Sequence, residues 1–505
     1  MGILIFFSIF IQFLMRLSMM VGLLGLTKEA SIDDLPSSDV CFDGLNDSLK
    51  SSKQIADKIH YSRHQIMSIL YVHSIGYVST QFIGGYLAER FGGRWIVGPA
   101  VMACGVINFL TVAAVFAPIY VMLLVEFLAG AAAGLIIPSS LVLYSRWYPI
   151  KERQKFGGFV YTSLHSGSVG GMILAGLLSH YDWELVLFCS GTMGVLFFIP
   201  WALLAHESPL LHPRISLEER NYILKGLDQD PNKPFKFPKR IPWFGIITSG
   251  PVWASVVFHT GCIWIMLVSF YHLPTFLMDI LHVGVEKSGY ISAVPCVVGW
   301  ISGSLSGLIS QRLQNLGVWS HMNAYLICNG IANIGPSICF LIIIVARCEL
   351  TTNVLMFSII MFFNAMIYGG SYFNAMDLSL NHTGVIVGIV STSINFCGLL
   401  TMFVVILMIR DQRTLTPWNG LFGLTIVIAC VSYIVFAIFG SVEKQPWNSY
   451  GVDDSDEDEA KVIADKEGTD EDKYKARIPS LDKQVPQKIP KKNLRTSKFL
   501  EKYYI

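Results

Sequence analysis

Twelve stretches of mostly apolar residues, each long enough to cross a bilayer as a helix, dominate this chain: 3–26, 66–88, 95–117, 119–142, 157–180, 184–205, 247–272, 288–311, 321–346, 353–376, 383–408 and 418–441. Roughly 20 apolar residues in a helix match the hydrocarbon thickness. In that core each helix satisfies its own backbone, so a bundle of helices is the architecture such segments dictate. The charges agree. They make up 14% of the chain, against about 25% in soluble proteins, and they crowd into 27–65, 206–240 and 442–505. The reading is an all-α membrane protein with many spans.

The first run is not a signal peptide. It lacks a basic leading region, is too long, and carries Arg16 inside it. Its abrupt start leaves room for a longer native N-terminus. An isolated arginine at that depth costs at least about 2.5 kcal/mol, so Arg16 demands a role.

The loops after the second and fourth spans carry Arg90, Arg94, Arg146, Lys151, Arg153 and Lys155, whereas the loops after the third and fifth carry no Lys or Arg. The positive-inside rule then predicts both termini and the 206–246 loop in the cytoplasm. Residues 27–65 face outside or a lumen, where the sequon at Asn46 is a predicted glycosylation site. The sequon at Asn381 falls on the cytoplasmic side and stays unused. Four regions follow: a six-helix half at 1–205, a loop at 206–246, a second six-helix half at 247–441 and a disordered tail at 442–505. The tail holds the acidic run DDSDEDE at 453–459. In the loop, Ser216 and Glu219 match a capping box that starts a short amphipathic helix, Leu217 to Leu227.

Several functions are excluded. A net charge of +1 gives no field for nucleic acid. The 10 cysteines are scattered, mostly in apolar stretches, and read as buried small residues, neither a disulfide framework nor a metal site. No metal, cofactor, nucleophile elbow or phosphate loop is indicated, so no enzyme is predicted.

One short motif recurs. GYLAERFGGR (85–94) lies between spans two and three, and GLISQR (307–312) lies in the equivalent place between spans eight and nine. Two parallel halves with a midplane site between them are a transporter plan. The first copy resembles the loop signature of the major facilitator superfamily, G-x-x-x-D-R-x-G-R-R, with Glu89 for Asp. Gly85 lets helices approach. Glu89 suits a neighbouring helix N-terminus, and Arg90 and Arg94 can pair with carboxylates. Rearranging this cluster would bias inward- against outward-facing states.

A closer resemblance rests on IGGY (83–86), RWYPIKER (146–153), ESPLLHPRISLEERNYI (207–223), SGPVWA (249–254), LPTFL (273–277), SAVP (292–295), NAMD (374–377) and VEKQPW (442–447), in this order. They are similar to the anion:cation symporter family, that of sialin, the vesicular glutamate transporters and the type I sodium/phosphate cotransporters. The resemblance implies the twelve-helix major facilitator fold. It also implies secondary active transport of organic anions or phosphate, coupled to H+ or Na+. It assigns Arg16 to anion recognition, Tyr77 and Gln81 to matching positions on helix 2, and Asn374 with Asp377 to the cytoplasmic gate.

The chain also departs from that family. Glu126 stands where an arginine is common, Ala133 where the coupling glutamate is, and Leu141 where a histidine is often found. These departures suggest that Arg16 pairs with Glu126 in at least one transport state and that Glu126 takes over proton coupling. Such a cavity suits a zwitterion or monoanion. His165, in a Ser/Gly-rich stretch, is a candidate cavity residue; His73, His259 and His272 read first as packing residues. Two functions compete: a transporter of small organic anions or zwitterions, acting as a monomer in a plasma, vesicle or lysosome membrane, and a transport-inactive relative serving as a receptor or accessory protein.

Overall fold

The computed structural model describes residues 1–24, 61, 63–178, 182–227, 240–270, 272–281, 283, 285–409 and 414–450. Asn46 and the acidic run at 453–459 lie outside them. Among the described residues, twelve long helical runs form where the apolar stretches predict them. They are α1 (Gly2–Leu24), α2 (Arg63–Phe91), α3 (Arg94–Ala114), α4 (Ile119–Ser145), α5 (Ile150–Tyr161 and Ser163–Leu178) and α6 (Trp183–Leu204). The second half has α7 (Gly250–Phe270), α8 (Val285–Asn315), α9 (His321–Ala346), α10 (Leu350–Gly369, extended by Ser371–Phe373 and Asn374–Leu378), α11 (Thr383–Ile409) and α12 (Leu415–Phe439). Ten of these runs are both long and apolar enough to cross a bilayer. The other two, α2 and α5, carry buried polar side chains such as His73, Gln81 and Gln154.

In lipid, small residues rather than apolar attraction bring helices together. Gly130 and Gly134 of α4 press against the α2 backbone at His73 and Tyr77, and Gly76 of α2 presses back at Phe127. Gly105 of α3 and Gly191 of α6 face each other in the same way, as do Gly167 and Gly171 of α5 with the backbone of α1. The two halves meet where α2 crosses α11 and where α5 crosses α8. At these crossings Gly85 lies on Gly384 and Gly388, and Gly158 lies on Gly303 and Gly307. Gly85 and Gly307 hold the same place in the two copies of the repeated motif, so the repeat marks both crossings.

α10 unwinds at Gly370, and the Asn329 side chain of α9 accepts from the freed Ser371 amide at 3.1 Å. This break turns Tyr368 and Tyr372 toward the centre and leaves Asn374 and Asp377 at the end of the bundle that the positive-inside rule assigns to the cytoplasm.

Three expectations are refined. The loop helix runs Leu217–Gly226, with Ser216 accepting from the Glu219 amide at 3.1 Å. Residues 442–450, assigned above to the tail, are packed. Gln445 donates to Leu378 O at 2.9 Å, Asn448 accepts from Ser379 at 2.7 Å, and Trp447 lies on Gly245 of the helix Trp243–Ile247. The cysteines are not all buried packing residues: Cys348, in the turn between α9 and α10 and outside the apolar runs, is disulfide-bonded.

Candidate functional site: a central cavity and its closed end

A cavity lies between the two halves. Arg16 of α1, Ser74, Tyr77 and Gln81 of α2 and His165 of α5 line it from one side, and His259 of α7, Tyr368 and Tyr372 of α10 and Asn395 of α11 from the other. Four of the five predicted binding residues therefore meet there. Among the described residues Arg16 is the only Lys, Arg, Asp or Glu on its walls. The guanidinium stands 5.2 Å over the Tyr77 ring, a cation–π contact that offsets part of its burial.

The cavity also presents unmet polar atoms. Gln81 is fully buried and neither of its amide atoms has a partner. Leaving such a group unsatisfied costs about 1–3 kcal/mol, which a polar substrate would recover. His259 Nδ1 lies 2.7 Å from Ser255 O, so it donates there and leaves Nε2 as a buried, unpartnered acceptor. Tyr368 and Tyr372, with ring centroids 4.7 Å apart, join His165 to His259 as an aromatic wall.

Glu126 is elsewhere. It shares a stripe with Gly130 and Gly134, at four-residue spacing, and that stripe faces α2. Its carboxylate is fully buried, 3.0 Å from His73 Nδ1 of α2 and 3.1 Å from Thr111 Oγ1 of α3. The expected Arg16–Glu126 contact is thus replaced, in this conformation, by a triad inside the first half.

The end of the cavity that the basic loops predict to be cytoplasmic is closed at both crossings. Glu89 Oε2 accepts from the Val385 amide at 3.0 Å, in the first turn of α11, where the helix dipole favours an anion. At the other crossing Arg153 Nη1 donates to Asp377 Oδ1 at 2.9 Å, and Gln154 Oε1 accepts from Gln314 and Ser310. Tyr325 donates to Asp377 as well. Asn374 bridges Ser255 of α7 (2.5 Å) to Ser441 O of the C-terminal segment (2.8 Å).

The arginines are distributed differently from the expectation. Arg90 donates to Tyr86, and Arg94 donates to Ala202 O and stacks over Trp95, because their side chains point to the surface. Arg146 does the pairing instead: it bonds Glu207 and donates to Glu89 O at 3.1 Å. Glu207 also accepts from the Gly93 and Arg94 amides at 3.1 and 2.9 Å, capping α3. Gly92, at φ +98°, makes the turn and leaves room for that carboxylate.

Residues 5–402 match the sequence model of the Major Facilitator Superfamily. The chain belongs to that superfamily. It is similar to sialin of Homo sapiens, 26% identical over 448 residues that cover 88% of this chain and 90% of sialin. A putative inorganic phosphate cotransporter of Drosophila melanogaster is 28% identical, covering 74% of this chain and 72% of its own length. Vesicular glutamate transporter 1 of Xenopus tropicalis is 26% identical over 74% of this chain and 65% of its own. Among solved structures, the proton:xylose symporter XylE bound to 6-bromo-6-deoxy-D-glucose superposes with a TM-score of 0.63 at 12% identity, over 89% of this chain and 97% of that one. That likeness bears on the fold alone.

Within this superfamily frame, the residues that sequence reasoning missed fall into two kinds. His73 carried a signal: it stands one turn from Tyr77, facing the Gly130 stripe that also carries Glu126. Arg146 and Arg153 were counted only for topology, and their partners Glu207 and Asp377 are 61 and 224 residues away. No local pattern joins them.

Proposed function

We propose that this superfamily member is a secondary active transporter that moves a small organic monoanion through the central cavity by alternating access, driven by protons. One observation carries the reading: a single charged side chain, Arg16, on the cavity walls among the described residues. A guanidinium in a low-dielectric site is a strong partner for a carboxylate or phosphate. Among the described residues the cavity walls carry no carboxylate, Glu126 being held by His73 and Thr111. One negative group on an uncharged body fits better than a zwitterion or a dicarboxylate. The names of the relatives, a phosphate cotransporter and a glutamate transporter among them, support anions as the class.

Glu126 and His73 together hold the coupling proton. Ser74, beside His73, lines the cavity and offers the proton a way in. Both walls of the cavity come from one chain, so a monomer suffices. Both termini lie in the cytoplasm. The Cys348 disulfide supports this, because that face then meets the oxidising exterior or lumen, at a plasma, vesicle or lysosome membrane. No observation favours a transport-inactive protein.

The test is uptake into proteoliposomes under a pH gradient, with a labelled panel of phosphate, glutamate, sialic acid, urate and a neutral amino acid. Wild type is expected to concentrate a monoanion. Arg16→Gln should reduce that uptake about 10- to 100-fold, the loss of one charge-assisted hydrogen-bonding group. Glu126→Gln should abolish gradient-driven accumulation while exchange of labelled for unlabelled substrate continues. Accumulation that follows Na+ and ignores pH would move coupling away from the pair. Absence of any uptake by folded wild type would defeat the transporter reading.

A further inference from the structure

The α5–α8 crossing is closed by a ring of hydrogen bonds that leaves α5 at Arg153 and returns to it at Gln154. Arg153 Nη1 donates to Asp377 Oδ1 at 2.9 Å. The other carboxylate oxygen of Asp377 lies 3.2 Å from His321 Nε2. His321 Nδ1 lies 2.8 Å from Gln314 Oε1, and Gln314 Nε2 donates to Gln154 Oε1 at 2.5 Å. Arg153 and Gln154 belong to the first half of the molecule; Asp377, His321 and Gln314 belong to the second. His321 is thus the link between the two bonds that cross the seam.

Both ring nitrogens of His321 face acceptors, a carboxylate oxygen and an amide oxygen. A neutral imidazole carries one N–H, so one of these contacts would set lone pair against lone pair. An imidazolium satisfies both. We propose that His321 is a proton-operated latch on the cytoplasmic gate: with its second proton the ring closes and the gate is held shut, and loss of that proton to the cytoplasm releases one side of the ring and lets the gate open.

The surroundings fit this role. The His321 side chain is 28% exposed, so it exchanges protons with the cytoplasm without any opening of the central cavity. It lines a small cytoplasmic cavity with Arg153, Asp377 and Lys444. The groups that face it are Asp377 from α10, which favours the cation, Arg153 from α5 and Lys444 from the C-terminal segment, which oppose it, and Tyr325 from its own helix, which donates to the same carboxylate oxygen. The sign follows directly. The closed gate binds the proton and the open gate does not, so low cytoplasmic pH favours closure.

This inference rests on the alternating-access reading, and the test separates the two. Spin labels at Phe91 and Leu316, exposed positions on the two halves outside the ring, report the cytoplasmic opening by pulsed electron resonance in nanodiscs. The full chain is measured from pH 5.5 to 8.5 without substrate. Wild type should pass from the short to the long distance as pH rises, the open-to-closed ratio growing up to about tenfold per pH unit. His321→Gln, which keeps one donor and one acceptor, should lose this dependence and favour the long distance. His321→Lys, a permanent cation, should favour the short distance at every pH. Asp377→Asn should open the gate throughout. Equal pH dependence in wild type and His321→Gln overturns the latch. So does a pH-independent wild type whose gate still opens in Asp377→Asn, because the two glutamine amides would then be turned over and His321 neutral. A gate that stays shut even in Asp377→Asn would overturn alternating access itself.

Discussion

The two crossings that close the predicted cytoplasmic end share a backbone device and differ in chemistry. At α2–α11, Gly85 rests on Gly384 and the Glu89 carboxylate caps the first turn of the facing helix. At α5–α8, Gly158 rests on Gly303 while a buried ion pair, Arg153 with Asp377, joins the halves. The first seam sets one carboxylate against a helix N-terminus, with His382 Nδ1 3.9 Å from its other oxygen. The second uses two charges and a histidine. One seam is therefore a carboxylate on a helix end and the other a buried ion pair tied to a histidine, although both carry a copy of one motif.

The largest expected effect falls on the second seam. Asp377→Asn leaves the Arg153 guanidinium, 2% exposed, without its counter-charge. Breaking a buried pair from one side costs about 3–5 kcal/mol, which would shift the gate toward the inward-open state by more than 100-fold. Alkylation of Cys262, which lines the cavity, by an impermeant maleimide added from the cytoplasmic side measures that shift. The next effect compares the backbones. A Cβ at position 85 overlaps the Gly384 carbonyl, whereas one at position 158 sits 3.0 Å from the Gly303 carbonyl. Gly85→Ala should thus raise Cys262 labelling by about 10- to 100-fold, the 1–3 kcal/mol of an overpacked contact, and Gly158→Ala should raise it less. Equal effects would mean that the second seam is packed as tightly as the first.

How much of this was legible in the sequence depends on the range of the interaction. Helix positions were legible because bilayer thickness sets a length that apolar runs reveal. The contact of Glu89 was legible because a carboxylate just after a close-packing glycine finds a helix N-terminus at a crossing. The pairing of Glu126 was readable from its four-residue spacing to Gly130 and Gly134, yet the family position drew attention toward Arg16 instead. The ion pair and His321 were not legible. Asp377 meets Arg153 across 224 residues, and His321 acquires its two acceptors only when α8, α9 and α10 converge. Residues 442–450 were misread for a similar reason: Pro- and charge-containing sequence resembles a free tail until Trp447 and Asn448 find the turn at 378–382 and the helix at 243–247.

The smallest effect tests whether the two seams act separately. Glu89→Gln keeps an acceptor oxygen for the Val385 amide and removes only the charge. An anion at a helix N-terminus contributes about 0.3–1 kcal/mol, so Cys262 labelling from the cytoplasm should rise about two- to fivefold. The informative variant is the pair, Glu89→Gln with Asp377→Asn. Distant, independent contacts add in free energy. If the two seams are separate devices, the double variant should multiply the two single effects. If it labels no faster than Asp377→Asn alone, opening one seam already opens the other, and the halves part as a single rigid-body motion with no order between the two crossings.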